Sequence, residues 1–164
     1  MIKHTRWLRS IGVVVVSMLL LAGCRNASGG GWIPSATGED KATFGFTFHC
    51  KDKGGDAHLS GQLQYQDKPY GIRLHGTMGG TIEEMTCTEA ASDFEVALNE
   101  SSFDGQYRPQ PKGQSGTFFV NVVDNGEPGK LDDEFCIVLL EGAYDGYQNC
   151  RTLGAGNIQV RASK

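Results

Sequence analysis

Ala42, Phe44, Phe46, Phe48 and Cys50 alternate with Thr43, Gly45, Thr47 and His49. A helix repeats every 3.6 residues, so only a strand puts three phenylalanines spaced by two on one side. The alternation recurs. Leu59, Gly61, Leu63 and Tyr65 stand against Ser60, Gln62 and Gln64; Tyr70, Ile72 and Leu74 stand against Gly71, Arg73 and His75. Phe118, Val120 and Val122 alternate with Phe119, Asn121 and Val123, and partly apolar faces on both sides predict a central strand. Phe135 to Leu140 is apolar on both faces, and Ile158 and Val160 supply a last strand. Thr81 to Cys87 is a weaker strand, and Phe94, Val96 and Leu98 read as a strand or as a short helix from Glu89. About eight or nine short strands with turn residues between them predict an all-β fold: a single antiparallel β-sandwich or barrel.

The amino terminus follows a different rule. Lys3, Arg6 and Arg9 precede an apolar run from Ile11 to Leu21, with no acidic residue before Glu39. A basic start, a short greasy middle and small residues make an export signal. Ile11 to Ala22 is 12 residues, short of the ~20 that a membrane-spanning helix needs. Leu21-Ala22-Gly23-Cys24 resembles the lipobox of bacterial lipoproteins. That resemblance implies cleavage before Cys24, acylation of Cys24, and a domain attached to the membrane through its lipid anchor. It places the chain in the bacterial cell envelope. Arg25, where an Asp would retain the protein, implies the outer membrane if the cell is Gram-negative, with the domain in the periplasm or outside the cell. The expected organisation is residues 1–23 as signal peptide, 24–31 as a flexible tether carrying Gly29 to Gly31, and 32–164 as the all-β domain beginning at Trp32.

Removing 23 of 164 residues leaves 141, enough for one domain with a core. Of these, 21 are glycine (23 less Gly12 and Gly23), a composition that suits turns and penalises helices. The leader takes three of the 15 basic residues, so 12 face 19 acidic ones and the mature charge is −7. Nucleic-acid binding needs clustered Lys and Arg, so this charge argues against a nucleic-acid partner.

With Cys24 assigned to lipid, Cys50, Cys87, Cys136 and Cys150 remain. An even number in an exported domain reads as two disulfides, and four cysteines allow three pairings. Separation and strand geometry favour Cys50–Cys87 and Cys136–Cys150. No Cys-x-x-Cys spacing points to zinc.

Three clusters are candidates for function. Asp124, Glu127, Asp132 and Asp133 crowd a turn-rich loop around Asn125-Gly126 and Pro128-Gly129. No cofactor is expected beyond calcium, which suits flexible loops with several hard oxygens, although the spacing is not that of an EF-hand. Tyr144 and Tyr147 lie in a polar, glycine-containing segment that suits contact with a sugar or a protein. His49, His58 and His75 fall on the polar sides of their strands, and a hairpin pairing His49 with His58 would begin a metal triad. Ser115 in Gly113-Gln114-Ser115-Gly116 lacks the nucleophile-elbow spacing. No phosphate loop or dinucleotide fingerprint is present in the sequence.

Gly30-Gly31-Trp32-Ile33-Pro34, Lys41 to Phe46, Gly61 to Tyr65, Val122 to Gly129 and Gly156-Asn157-Ile158-Gln159 resemble a bacterial extracellular module, the post-COAP-1 domain. The resemblance spans most of residues 30–160. It implies a secreted β-module and no catalytic residue. Members commonly carry other residues at the positions of Cys136 and Cys150, which implies that these two were gained together and pair. The expected function is a non-catalytic binding module for a glycan or an envelope protein. A structural envelope lipoprotein is the alternative, and a metal-dependent hydrolase built on the histidines is a more distant one.

Overall fold

The computed structural model describes residues 25–38, 40–53, 56–82, 99–127 and 132–162. Among the described residues nine strands follow one another: β1 Arg25–Pro34, β2 Lys41–Lys53, β3 Asp56–Asp67, β4 Ile72–Ile82, β5 Glu100–Pro109, β6 Gly116–Val123, β7 Glu134–Leu140, β8 Gln148–Thr152 and β9 Ala155–Ala162. A 3₁₀ turn, Gly142–Tyr144, sits between β7 and β8. All neighbours are antiparallel and the order is β8-β7-β6-β5-β4-β3-β2-β1-β9. This is one sheet rolled into a half-barrel; two separate layers are not formed among the described residues.

The alternation decides what enters the barrel. Phe44, Phe46, Phe48, Leu63, Tyr65, Leu74, Phe103, Tyr107, Phe118, Val120, Phe135 and Ile137 are buried on the concave side. Phe44 and Phe135 stack with centroids 4.0 Å apart, and Phe48 lies on Phe103 at 5.0 Å. Burying such side chains contributes about 1.5–3 kcal/mol each. The ring of Phe118 crosses the inner faces of Gly76 and Gly105, where a Cβ would come within 2.6 Å and 2.9 Å of it. The roll depends on these bare positions, because a side chain at either would displace the ring.

The two edges of the sheet are linked by its last stretch of chain. β8 pairs with β7 and β9 with β1, both running the same way with only Leu153 and Gly154 between them. Residues 148–162 are thus one run of chain that changes partner halfway. At the change-over Leu153 N donates to Asp133 O and Gly154 N to Trp32 O, both at 2.9 Å.

Several expectations change. Residues 25–31 are not a tether but most of β1, held between β2 and β9. Their glycines serve close approach instead of flexibility: a Cβ on Gly31 would lie 2.2 Å from Ala155 O, and one on Gly29 2.8 Å from Asn157 O. β5 and β8 are strands that periodicity does not announce. In β5 the inward set Ser101, Phe103, Tyr107 is interrupted by Asp104-Gly105, which reads as a turn. Residues 83–98, with the strand candidate Phe94–Leu98 and Cys87, lie outside the described residues, as does Cys24. Cys136 and Cys150 stand directly opposite across β7 and β8 and form the expected disulfide.

Candidate functional site

The upper end of the barrel, where β1 meets β2 and β3 meets β4, is closed by a buried polar cluster. Asp67 ends β3 fully buried. Its Oδ1 accepts from Ser35 Oγ at 2.6 Å and from Tyr70 N at 3.4 Å; its Oδ2 accepts from Ala36 N at 3.0 Å and Tyr147 Oη at 2.7 Å. Tyr147 Oη lies 2.5 Å from Tyr65 Oη, which accepts from Asn149 Nδ2 at 3.1 Å. Because Tyr147 donates to the carboxylate, Tyr65 donates to Tyr147, and every proton in the chain points towards Asp67. Burial pushes the Asp67 carboxyl up. The bonds from Ser35, Ala36, Tyr147 and Tyr70 outweigh that and hold it below the ordinary carboxylate value. Burial raises Tyr65 to about 12 and, with the neighbouring Tyr65 and Asp67, raises Tyr147 further.

These contacts reassign the tyrosine segment. Tyr147 is 4 % exposed and its hydroxyl is engaged inside, so it has no face for a ligand. Tyr144 stacks on Tyr107 at 5.8 Å, accepts Arg73 N at 3.5 Å and donates to Arg73 O at 3.3 Å. Tyr107 Oη donates to Glu141 O at 2.7 Å and accepts from Tyr144 N at 3.0 Å. The Tyr107–Tyr144 pair plugs the barrel end.

The acidic loop seals an edge. Asp133 Oδ2 accepts from Ile158 N at 2.7 Å and Asp124 Oδ2 from Val160 N at 2.9 Å, on the side of β9 that faces away from β1. Asp133 Oδ1 also takes Asn125 N, and Glu127 Oε1 takes Asn157 Nδ2 at 2.9 Å and Gln159 Nε2 at 2.7 Å. Those bonds from Gln159 and Asn157, with Arg161 nearby, hold the exposed Glu127 carboxyl below its ordinary value. Asp132 contributes its backbone oxygen to Asn125 Nδ2. Three of the four expected calcium ligands, Asp124, Glu127 and Asp133, are thus strung along the β9 edge. Among the described residues no three His, Cys, Asp or Glu side chains converge as a metal set. Register separates the histidine set: His49 pairs with Ser60 and His58 with Lys51, which leaves those two diagonal, while His75 pairs with Gln64, six residues along β4 from the partner of His58.

What the fold assembles instead is a groove on the convex face. The register aligns Trp32, Thr43, Gln66 and Arg73 in one row across β1 to β4, and Gly30, Gly45, Gln64, His75 and Arg108 in the next, across β1 to β5. A Cβ on Gly45 would meet nothing within 4 Å, so the paired glycines leave a floor between taller neighbours. A depression of about 270 Å³ lies here, lined by Thr43, Gly45, Gln64, Gln66, Arg73 and His75 among others. A second, of about 730 Å³, adjoins it through Arg73 and His75 and continues over Arg108 and the loop to Lys112. Trp32 flanks the first row, with Lys41 Nζ 4.2 Å above its ring. Of the groove residues, the sequence singles out His75 alone, and as a metal candidate. Their signal is the polar half of the strand alternation, which reveals its contents only once register is known.

No protein-family model, curated protein or solved structure matches this chain. Among the described residues, no helix is long and apolar enough to cross a membrane.

Proposed function

We propose that this chain is a non-catalytic binding module of the bacterial envelope, held to the membrane by an acyl chain on Cys24 and recognising a glycan through the convex groove. The observation that carries the reading is the empty floor at Gly45 between polar side chains in register. Amide and hydroxyl groups in rows, on a rigid sheet, match the hydroxyls of a sugar chain and need no rearrangement to bind. The lipobox resemblance supports the anchor, and the likeness to post-COAP-1 modules supports an extracellular role without an activity. A second disulfide, Cys50–Cys87, belongs to the same proposal. The groove also lies well up the sheet from Arg25, five to seven residues along β1, or roughly 15–25 Å at 3.3 Å per residue. A membrane-attached domain would therefore present it to the envelope space.

Gly45→Thr tests this directly. Threonine suits a strand, has room, and fills the floor. Capture of envelope glycans by the full chain in detergent should fall while its melting temperature holds. Undiminished capture by the variant removes the groove from the function.

A structural role in an assembly is the second reading. Phe119 and Leu140 favour it, being 40 % and 48 % exposed on the convex side of β6 and β7. Sedimentation of the full chain in detergent decides: self-association lost in Phe119→Ser would support this reading over the first.

A further inference from the structure

Resting on the groove reading above, we infer that the ligand is an acidic oligosaccharide, with carboxylates met by Arg73 and Arg108. The molecule is acidic overall, yet this strip concentrates cations. Arg73, His75, Arg108 and Lys112 line one continuous depression. Among the described residues no carboxylate pairs with Arg73, Arg108 or Lys112. Asp145, at the same end, already accepts from Glu141 N at 2.9 Å. On the convex side of β3 and β4, the neighbours of these cations are Gln64, Gln66 and Thr77, all uncharged.

The placement of the two arginines fits more than one carboxylate. His75 pairs with Arg108, and Arg73 O accepts from Gln110 N at 2.7 Å. Arg73 and Arg108 are therefore diagonal neighbours on adjacent strands, roughly 7–8 Å apart at their Cα atoms. A guanidinium presents a planar fork that binds a carboxylate bidentately. Two forks beside a row of amides and hydroxyls recognise a chain that alternates carboxylate and hydroxyl, which is a uronate oligosaccharide. A lipid surface is less suited, because the strip is recessed between strands. The mature charge of −7 restricts the partner to a short acidic segment, since a long polyanion would meet repulsion beyond the groove.

The experiment is calorimetric titration of the full chain in detergent with a hexamer of galacturonate. Its fully methyl-esterified form and anionic phosphatidylglycerol vesicles serve as controls. The free acid should bind at least about tenfold more tightly than the ester, given what hydrogen bonds to charged groups contribute. Arg73→Gln and Arg108→Gln should each weaken it by about tenfold or more and flatten its salt dependence, with unchanged melting temperatures. Equal affinity for acid and ester, lost in Gly45→Thr, would overturn the acidic assignment and leave the glycan groove standing. Binding of vesicles and of neither hexamer would overturn the inference in favour of a lipid headgroup. Binding of neither hexamer nor vesicles would overturn it as well, and the Gly45→Thr capture experiment would then decide the groove separately.

Discussion

Tyr147 shows how one hydroxyl can organise a barrel end. It donates into Asp67 and accepts from Tyr65, so Tyr147→Phe leaves a buried carboxylate short of one donor and Tyr65 without its acceptor. Unfolding by urea should show a loss of about 1–3 kcal/mol, the cost of an unsatisfied buried polar group. The same cluster sets two pH limits. Asp67's folded value lies below that of the unfolded chain, so its stabilisation is complete above about pH 5 and is lost as pH falls through the folded value. Tyr65 behaves in the opposite sense. Raised to about 12 against an unfolded value of 10.0, it contributes fully below pH 10 and loses that contribution as pH climbs to 12. Melting temperatures against pH should fall at both ends, and Asp67→Asn should flatten the acid limb; an unaltered acid limb would mean other carboxylates govern it. In the sequence Tyr147 stands out as a tyrosine in a polar loop, but its burial depends on Asp67 and Tyr65, about 80 residues earlier.

At the scale of elements, the loop between β6 and β7 protects an edge that nothing else pairs among the described residues. Exposed strand edges invite association with other chains, and here aspartates replace the missing neighbour. Asp133→Ala should cost about 2–3 kcal/mol, because Ile158 N loses a charged acceptor in a buried place, and it should raise concentration-dependent light scattering. Scattering that stays at the wild-type level would deny the edge-sealing role. The Cys136–Cys150 bond staples β8, a strand of only five residues, to β7. With a separation of 14 residues, replacing both cysteines by serine should remove about 3 kcal/mol in the chain-entropy model, measurable by denaturant titration. Strands with phenylalanine on every second residue are legible from periodicity alone. β1 is not, because its inward positions are largely Ala27, Gly29 and Gly31, and missing side chains leave no apolar pattern to read. The acidic loop is legible as carboxylates but not as an edge cap, since its partners Ile158 and Val160 lie about 25 and 36 residues further on.

The whole molecule is organised around its seam. An all-β antiparallel class follows from the strand alternation, whereas one rolled sheet in place of two stacked layers is decided by pairings between distant segments. The groove belongs to the same category: five strands contribute to its rows, and no local motif announces it. A chain cut after Gly154 loses β9 and with it one of the two partners of β1. Such a truncation should fail to give a cooperative thermal transition and should be degraded rapidly by added protease; a native-like melt would show that the first eight strands suffice.

Arg25 lies opposite Ala162 in the finished sheet, so one flank of the first strand waits for the final one. Contacts this remote in sequence are slow to form, and a ribosome or a translocation pore must release nearly the entire polypeptide before the last strand can join the sheet. For a protein proposed to cross a membrane as an extended thread, that delay is useful. Its topology postpones completion until the journey is over.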